Sequence, residues 1–270
     1  CKTPHSKKYI RKVNHMNSIK KEEFYEDSRL KEIYDNLDNS KRSLDDTFQF
    51  QCDQCGKCCI NREDILMSPL DMYNAAKALN LTIPEFFDRY CESYIGPSSR
   101  LPLVRLLPRG VFKKCPLLKD KKCSIHTSKP AVCAMFPLGR CIEYNVDDRS
   151  KPLSTENIQY FFDSPNCGMK DVTHTVREWL EISGIPIEDK YFIMWQQVIC
   201  QLGDIIRNAE NAARPDIMIV IWNMIFSILY LGYDTSKEFL PQFARTSKEL
   251  LRLMEMLPTK KGKNSKQQKA

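Results

Sequence analysis

The sequence predicts a mainly α protein with small irregular β-hairpins, in which a metal-stapled cysteine-cluster domain packs on a C-terminal helical bundle. Three observations lead there. Apolar residues recur at helical spacing through long stretches after residue 171, the cysteine-rich region before them is cut into short runs by Pro, Gly and polar turns, and the 12 cysteines gather mainly in that region. With 270 residues, 42% of them hydrophobic and 28% charged, the chain can bury a core without help from metal. Four segments follow from composition: a disordered basic tail over 1–21, a cysteine-cluster domain with a leading helix over 22–170, a helical bundle segment over 171–258, and a disordered Lys-rich tail over 259–270.

Taken in order, residues 22–37 carry Phe24, Tyr25, Leu30, Ile33, Tyr34 and Leu37 at partly helical spacing, which predicts an amphipathic helix, with 38–46 as its linker. Phe48 and Phe50 alternate and predict a short strand. Ser68 as N-cap, Pro69 at the first helical position and Asp71 in the first turn predict a helix to about Leu79. Thr82 and Glu85 form a capping box opening a second helix, whose buried face is expected to carry Phe86, Phe87, Tyr90, Cys91 and Tyr94. Residues 101–107 and 111–115 read as a hairpin around a type I turn at Pro108 and Gly110. Later helices are expected from Val176 to Ser183 with Gly184 as the stop, from Pro186 through Ile206, over 216–231 as a buried central helix, and over 239–257. The 216–231 run is shorter than the roughly 18–20 residues of a membrane span and is interrupted by Asn223 and Ser227, so no span is expected.

The chemistry lies in Cys52-Asp53-Gln54-Cys55-Gly56-Lys57-Cys58-Cys59. Four thiols in eight residues are denser than core packing produces. Cys-x2-Cys lets two sulfurs swing to one side of a turn, and the third thiol reproduces the Cys-x2-Cys-x2-Cys run that holds three corners of a four-iron cluster. Cys58 and Cys59, being adjacent, suit two metals or opposite sides of one cluster better than a single ion. Cys115, Cys123 and Cys133 supply remote ligands. Cys167, in Pro165-Asn166-Cys167-Gly168, is preferred to Cys141 as the eighth, while Cys91 and Cys200 read as core thiols and His126, three residues after Cys123, reads as a surface turn residue in preference to a zinc ligand. Nearby cations, among them Lys57, Arg62, Lys113, Lys114, Lys122 and Arg140, would offset thiolate charge. Eight thiols admit two four-thiolate sites, or one cluster with spare thiols; the run of three favours a [4Fe–4S] cluster, and the surplus of ligands favours Zn²⁺.

The octet, with Cys115-Pro116-Leu117-Leu118, Lys122-Cys123-Ser124-Ile125-His126 and the stretch from Lys129 to Pro137, resembles the CxxCxxCC, or YkgJ-like, cysteine-cluster family over roughly residues 50–170. The resemblance implies a zinc- or iron-chelating domain, one shared with flagellin lysine N-methylases. Three classes of function remain: a cytoplasmic metal-cluster protein, an enzyme using the cluster, for which the resemblance implies protein lysine N-methylation, or a zinc-stapled protein-interaction module.

Charge narrows the partners. Residues 1–21 hold seven Lys or Arg and 259–270 hold five, with no acid in either; subtracting those twelve from the net charge of +7 leaves the body at −5. A folded basic face specific for nucleic acid is therefore not expected, and a protein partner or protein substrate is. Gly-x-Gly-x-x-Gly, Walker, His-Glu-x-x-His and Gly-x-Ser-x-Gly signatures are missing, which disfavours a nucleotide-dependent enzyme. Dense Cys-x-x-Cys grouping in a long chain points to a reducing cytoplasm. Cys1 at the first position reads as a truncated or trimmed chain, or as the acylated first residue of a mature lipoprotein.

Overall fold

A computed structural model of the chain describes residues 37–62, 65–143 and 152–257. The expected tails, the helix over 22–36, Cys1, Glu63 and Asp64 lie outside the described residues. The fold is mainly helical with small antiparallel sheets.

After a one-turn helix α1 (Leu37–Ser40), β1 (Lys41–Arg42) pairs with β9 (Ile158–Phe162), which also pairs with β8 (Leu138–Ile142). Residues 38–46, expected as a linker, thus contribute a sheet edge. β2 (Thr47–Gln51) forms as expected, with Phe48 and Phe50 turned inward at 5% and 2% exposure. Its partner is β10 (Met169–Thr175), in a stretch expected to begin the helical part; here Thr47 faces Thr175 and Gln51 faces Met169.

α2 (Pro69–Ala78) and α3 (Ile83–Tyr90) both open on the capping boxes read from sequence, at Ser68 with Asp71 and at Thr82 with Glu85. α3 stops one turn early. Cys91–Ile95 is strand β4, so Tyr94 is buried from a strand and not from a helix face. The cause is visible in its burial: Cys91 and Tyr94 are the two buried positions of β4, and an i, i+3 pair imitates helical spacing. β5 (Pro102–Leu106) forms, but it pairs with β4 and with β3 (Leu66–Met67). The expected hairpin with 111–115 is not made. Instead 59–62 takes up that segment: the Cys59 carbonyl accepts from Cys115 N at 2.8 Å, and Asn61 N donates to the Phe112 carbonyl at 3.0 Å.

β6 (Leu118–Lys119) and β7 (Lys122–Cys123) close a tight hairpin through Asp120 and Lys121, both left-handed as a two-residue turn requires. α4 (Ala131–Met135) follows Pro130. α5 (Val176–Ile182) is capped by Thr175 with Glu178. α6 (Lys190–Glu210) begins at Asp189, whose carboxylate accepts from Phe192 N, rather than at Pro186. α7 (Pro215–Phe226) runs into a π turn over Ser227–Leu231, and α8 (Phe239–Met254) ends the described chain. The 215–231 stretch is buried on one face only, since Val220 is 64% exposed. Among the described residues no helix is long and apolar enough to cross a membrane.

Two buried clusters hold these elements. The larger joins α2, α3, β4 and β5 to α6, α7 and α8; the smaller joins β2, β8, β9 and α5 around Trp179. Each draws on residues from both sides of residue 170. In the smaller cluster Phe48 and Phe50 meet Trp179 edge-on, each such pair adding about 0.5–1.5 kcal/mol beyond burial. Cys115, Cys123 and Cys133 pack against the larger cluster, and Cys167 packs against the smaller. Four of the candidate ligands therefore border one or the other of the two cores.

Candidate metal centre

β2 delivers the octet, and left-handed residues curl it. Gln54 has φ 54° and Gly56 φ 72°, between an Asp53 carboxylate that accepts from Cys55 N at 3.2 Å and a 3₁₀ turn at Lys57–Cys59. Gly56 is needed on two counts. Its φ favours glycine, and a Cβ there would stand 2.9 Å from the Lys121 carbonyl at the tip of the β6–β7 hairpin. The octet is thereby seated on the hairpin that ends at Cys123.

The second group of thiols is presented by short, well-tied segments. Leu118 N donates to the Cys115 carbonyl at 3.1 Å, and Ser124 N to that of Leu117 at 2.9 Å, which sets the hairpin between the two thiols. Cys133 rides on α4, whose first amide, Ala131 N, donates to Asp71 Oδ1 at 2.8 Å. The other oxygen of Asp71 takes Ser68 N and Ser68 Oγ. Burial pushes the Asp71 carboxyl up, and those hydrogen bonds oppose it. From sequence Asp71 reads only as a first-turn acid; its span across to α4, sixty residues on, has no local signal.

Cys58 and Cys59 have their Sγ atoms 4.0 Å apart. Their shared hydrogen bond holds one thiol, Cys58, below its usual range and, with burial, raises the other. Cys58 also feels Arg62 and Lys129. Burial raises Cys115, with further contributions from Cys123 and Cys58. Cys133 is raised by burial first, then by Cys115, Cys58 and Cys123, against Arg62. Cys167 is pushed up to about 11 by burial and then by Cys58, Cys55, Asp53 and Cys52. Cys58 is thus within electrostatic reach of Cys59, Cys115 and Cys133, and also of Cys167, which in turn feels Cys55 and Cys52. Cys141 is elsewhere, exposed on β8 beside Glu143 and Lys41.

The turn that carries Cys167 is tied to the octet by its neighbour. Gly168 has φ 75°, and a Cβ there would overlap the Phe50 ring and lie 2.8 Å from the Gln51 carbonyl. Gly168→Ala is expected to cost about 2–4 kcal/mol, combining the left-handed penalty with the overlap, whereas Gly110→Ala, at φ 68° with open space around it, should cost about 1 kcal/mol. Denaturant midpoints of the two variants check this; equal losses would remove the close approach from the account.

Of the expected cations, Arg62 is near the thiols, with its guanidinium 5.9 Å above the Phe136 ring. Lys129 is a neighbour that sequence reading missed. Arg140 is committed elsewhere, to Asp189 at 2.7 Å. Of the two thiols read as core, Cys91 is fully buried and Cys200 half-buried. His126 is exposed on a 3₁₀ turn. It lines a groove of about 1040 Å³ between α2, α4 and α6, together with Lys129, Val132, Tyr191 and Trp195.

Thiols from four chain segments have the donor chemistry that zinc or iron requires. As they are placed, no three donor side chains among the described residues stand close enough to hold an ion.

In sequence, residues 51–161 match the family model CxxCxxCC, whose description reads "Putative zinc- or iron-chelating domain". No curated protein and no solved structure matches the chain.

Proposed function

Residues 51–161 form a domain of the CxxCxxCC family, and from that premise we propose that the chain is a metal protein whose eight thiols act as two sets of four. Cys59, Cys115, Cys123 and Cys133 form the set nearer the larger core; Cys52, Cys55, Cys58 and Cys167 form the set nearer the smaller one. The observation that carries this reading is the electrostatic reach of Cys58 and Cys167: Cys167 feels Cys52, Cys55 and Cys58, while Cys115 and Cys133 feel Cys58 and Cys123. Splitting the adjacent pair Cys58 and Cys59 between the sets gives each four donors.

In the outer set, Cys52, Cys55 and Cys58 make the three-thiol run and Cys167 the remote fourth, the donor pattern of a [4Fe–4S] cluster. Such a group, when bound, supplies one-electron chemistry. The protein's own part is to hold the thiolates beside the cores, with Arg62 and Lys129 offsetting their charge. The thiols survive in this state in a reducing compartment, which the cytoplasm provides. Zinc in both sets is the second reading. It is favoured by the number of thiols, since two tetrahedral sites of four thiolates each would use all eight.

Protein purified without oxygen decides between the readings. Brown colour with iron and acid-labile sulfide is expected; colourless protein with one or two zinc ions per chain, and no sulfide after anaerobic reconstitution, would replace the cluster by zinc. The groove beside α4 supports an enzymatic use of the same centre, because Lys129 and Val132 on its wall flank the segment that bears Cys133. A protein side chain is the substrate this cleft would take, and protein lysine N-methylation is the reaction the family resemblance offers. Failure of S-adenosylmethionine to bind the metal-loaded protein would exclude that reaction.

A further inference from the structure

Beside the thiols the chain displays an apolar tip that no core explains. Arg109 and Lys114 pair through both backbone hydrogen bonds, at 2.8 and 2.9 Å, and Lys113 N donates to the Gly110 carbonyl at 3.1 Å. This is a β-turn whose two corner positions are Val111 and Phe112, 94% and 69% exposed. Corner positions point farthest from the body and are ordinarily polar. The tip is also held in place: the Phe112 carbonyl accepts from Asn61 N at 3.0 Å, and Lys114 Nζ stands 5.8 Å over the Phe112 ring. Ile60 and Leu107, each 39% exposed, continue the apolar surface at its base.

Along its own segment the tip carries charge of one sign. No acid occurs between Leu107 and Cys115, where Arg109, Lys113 and Lys114 flank the two apolar corners, and the neighbouring β6–β7 hairpin adds Lys119, Lys121 and Lys122 around a single Asp120. Two corner side chains fall far short of the ~800 Å² per partner of a standard protein interface. They do match a layered surface, in which anionic groups lie over hydrocarbon within the reach of one side chain.

We propose that the Val111–Phe112 turn is a peripheral docking site for an anionic lipid bilayer. The two apolar side chains enter the headgroup region, and the flanking cations meet lipid phosphate and carboxylate groups. Bound in this way, the chain presents its cysteine octet next to the membrane surface, since the strand-like segment 59–62 is hydrogen-bonded to the tip itself.

The test uses the full chain and sedimentation with vesicles made of equal parts phosphatidylserine and phosphatidylcholine, against phosphatidylcholine alone. Binding is expected to the first only, and to weaken as salt rises. The double variant Val111→Asp, Phe112→Asp should bind at least about tenfold more weakly, since it removes both apolar contacts and adds two charges of the repelled sign. Its thermal midpoint should match that of the unaltered protein, because both side chains are exposed. In a separate Phe112→Trp variant, the added tryptophan emission should shift to the blue with the mixed vesicles. Binding that the double variant retains would assign the attraction to the Lys-rich ends and overturn the proposal. So would an unshifted Phe112→Trp emission, which would leave the tip for a protein partner.

Discussion

Serine in place of Cys59, Cys115 or Cys133 is expected to strip metal from the protein and to lower its stability by at least about 3 kcal/mol. A neutral hydroxyl is a poor substitute for a thiolate, and the free energy of metal binding is itself folding free energy where the site is absent from the unfolded chain. The position of these thiols enlarges the effect. Cys115, Cys123 and Cys133 border the larger buried cluster and Cys167 the smaller, so metals in the two sets, joined through the adjacent Cys58 and Cys59, would fasten one core to the other. Metal content and thermal midpoint, read with and without a chelator, check this. The chelator should bring the unaltered protein down to the midpoint of the variants and should move the variants little. Cys91→Ala is the comparison, because Cys91 is fully buried between α3 and β5 and should lose about 1 kcal/mol of packing with its metal intact. If Cys133→Ser kept full metal while Cys91→Ala lost it, the assignment of ligand and core thiols would be reversed.

The second large effect lies away from the thiols, at Arg140. Its guanidinium donates to Asp189 Oδ2 at 2.7 Å and lies 3.9 Å over the Phe192 ring, and the two side chains are 5% and 11% exposed. Asp189 Oδ1 meanwhile accepts from Phe192 N at 2.9 Å and caps α6. One ion pair therefore ties strand β8, just beyond α4 and Cys133, to the start of the longest helix. Arg140→Met is expected to cost about 3–5 kcal/mol, because it leaves the Asp189 carboxylate buried and uncompensated. For a chain of this length that corresponds to a drop on the order of 10 °C in the thermal midpoint. Adding Asp189→Asn should recover most of the loss, since asparagine keeps the cap and removes the stranded charge. A double variant as unstable as the single one would show that the cost came from lost packing on Phe192 rather than from charge.

Local chemistry was legible in the sequence wherever a short range of residues decides it. Ser68 with Asp71 and Thr82 with Glu85 start helices because each box satisfies end amides within three residues. Phe48 and Phe50 alternate because one face of a strand meets a core. The curl of the loop that carries Cys52, Cys55 and Cys58 was legible because Gly56 sits inside the run. What failed was pairing. The 111–115 segment joins 59–62 and not 101–107, and β4 replaces the last turn of a helix, because strand partners are chosen by hydrogen bonds and packing across long sequence separations.

By itself, then, the sequence determined the capped starts of α2 and α3 and the match of residues 51–161 to the CxxCxxCC family model, both of which depend on neighbours close along the chain. Tertiary structure alone decided that Asp71 holds the helix bearing Cys133, and that Lys129 rather than Arg140 attends the thiols. Each of those outcomes is a contact between segments whose spacing carries no periodic signal. It exists because the segments that carry it pack into buried clusters drawn from distant parts of the chain, and the closing of a core depends on the whole chain rather than on any window of it.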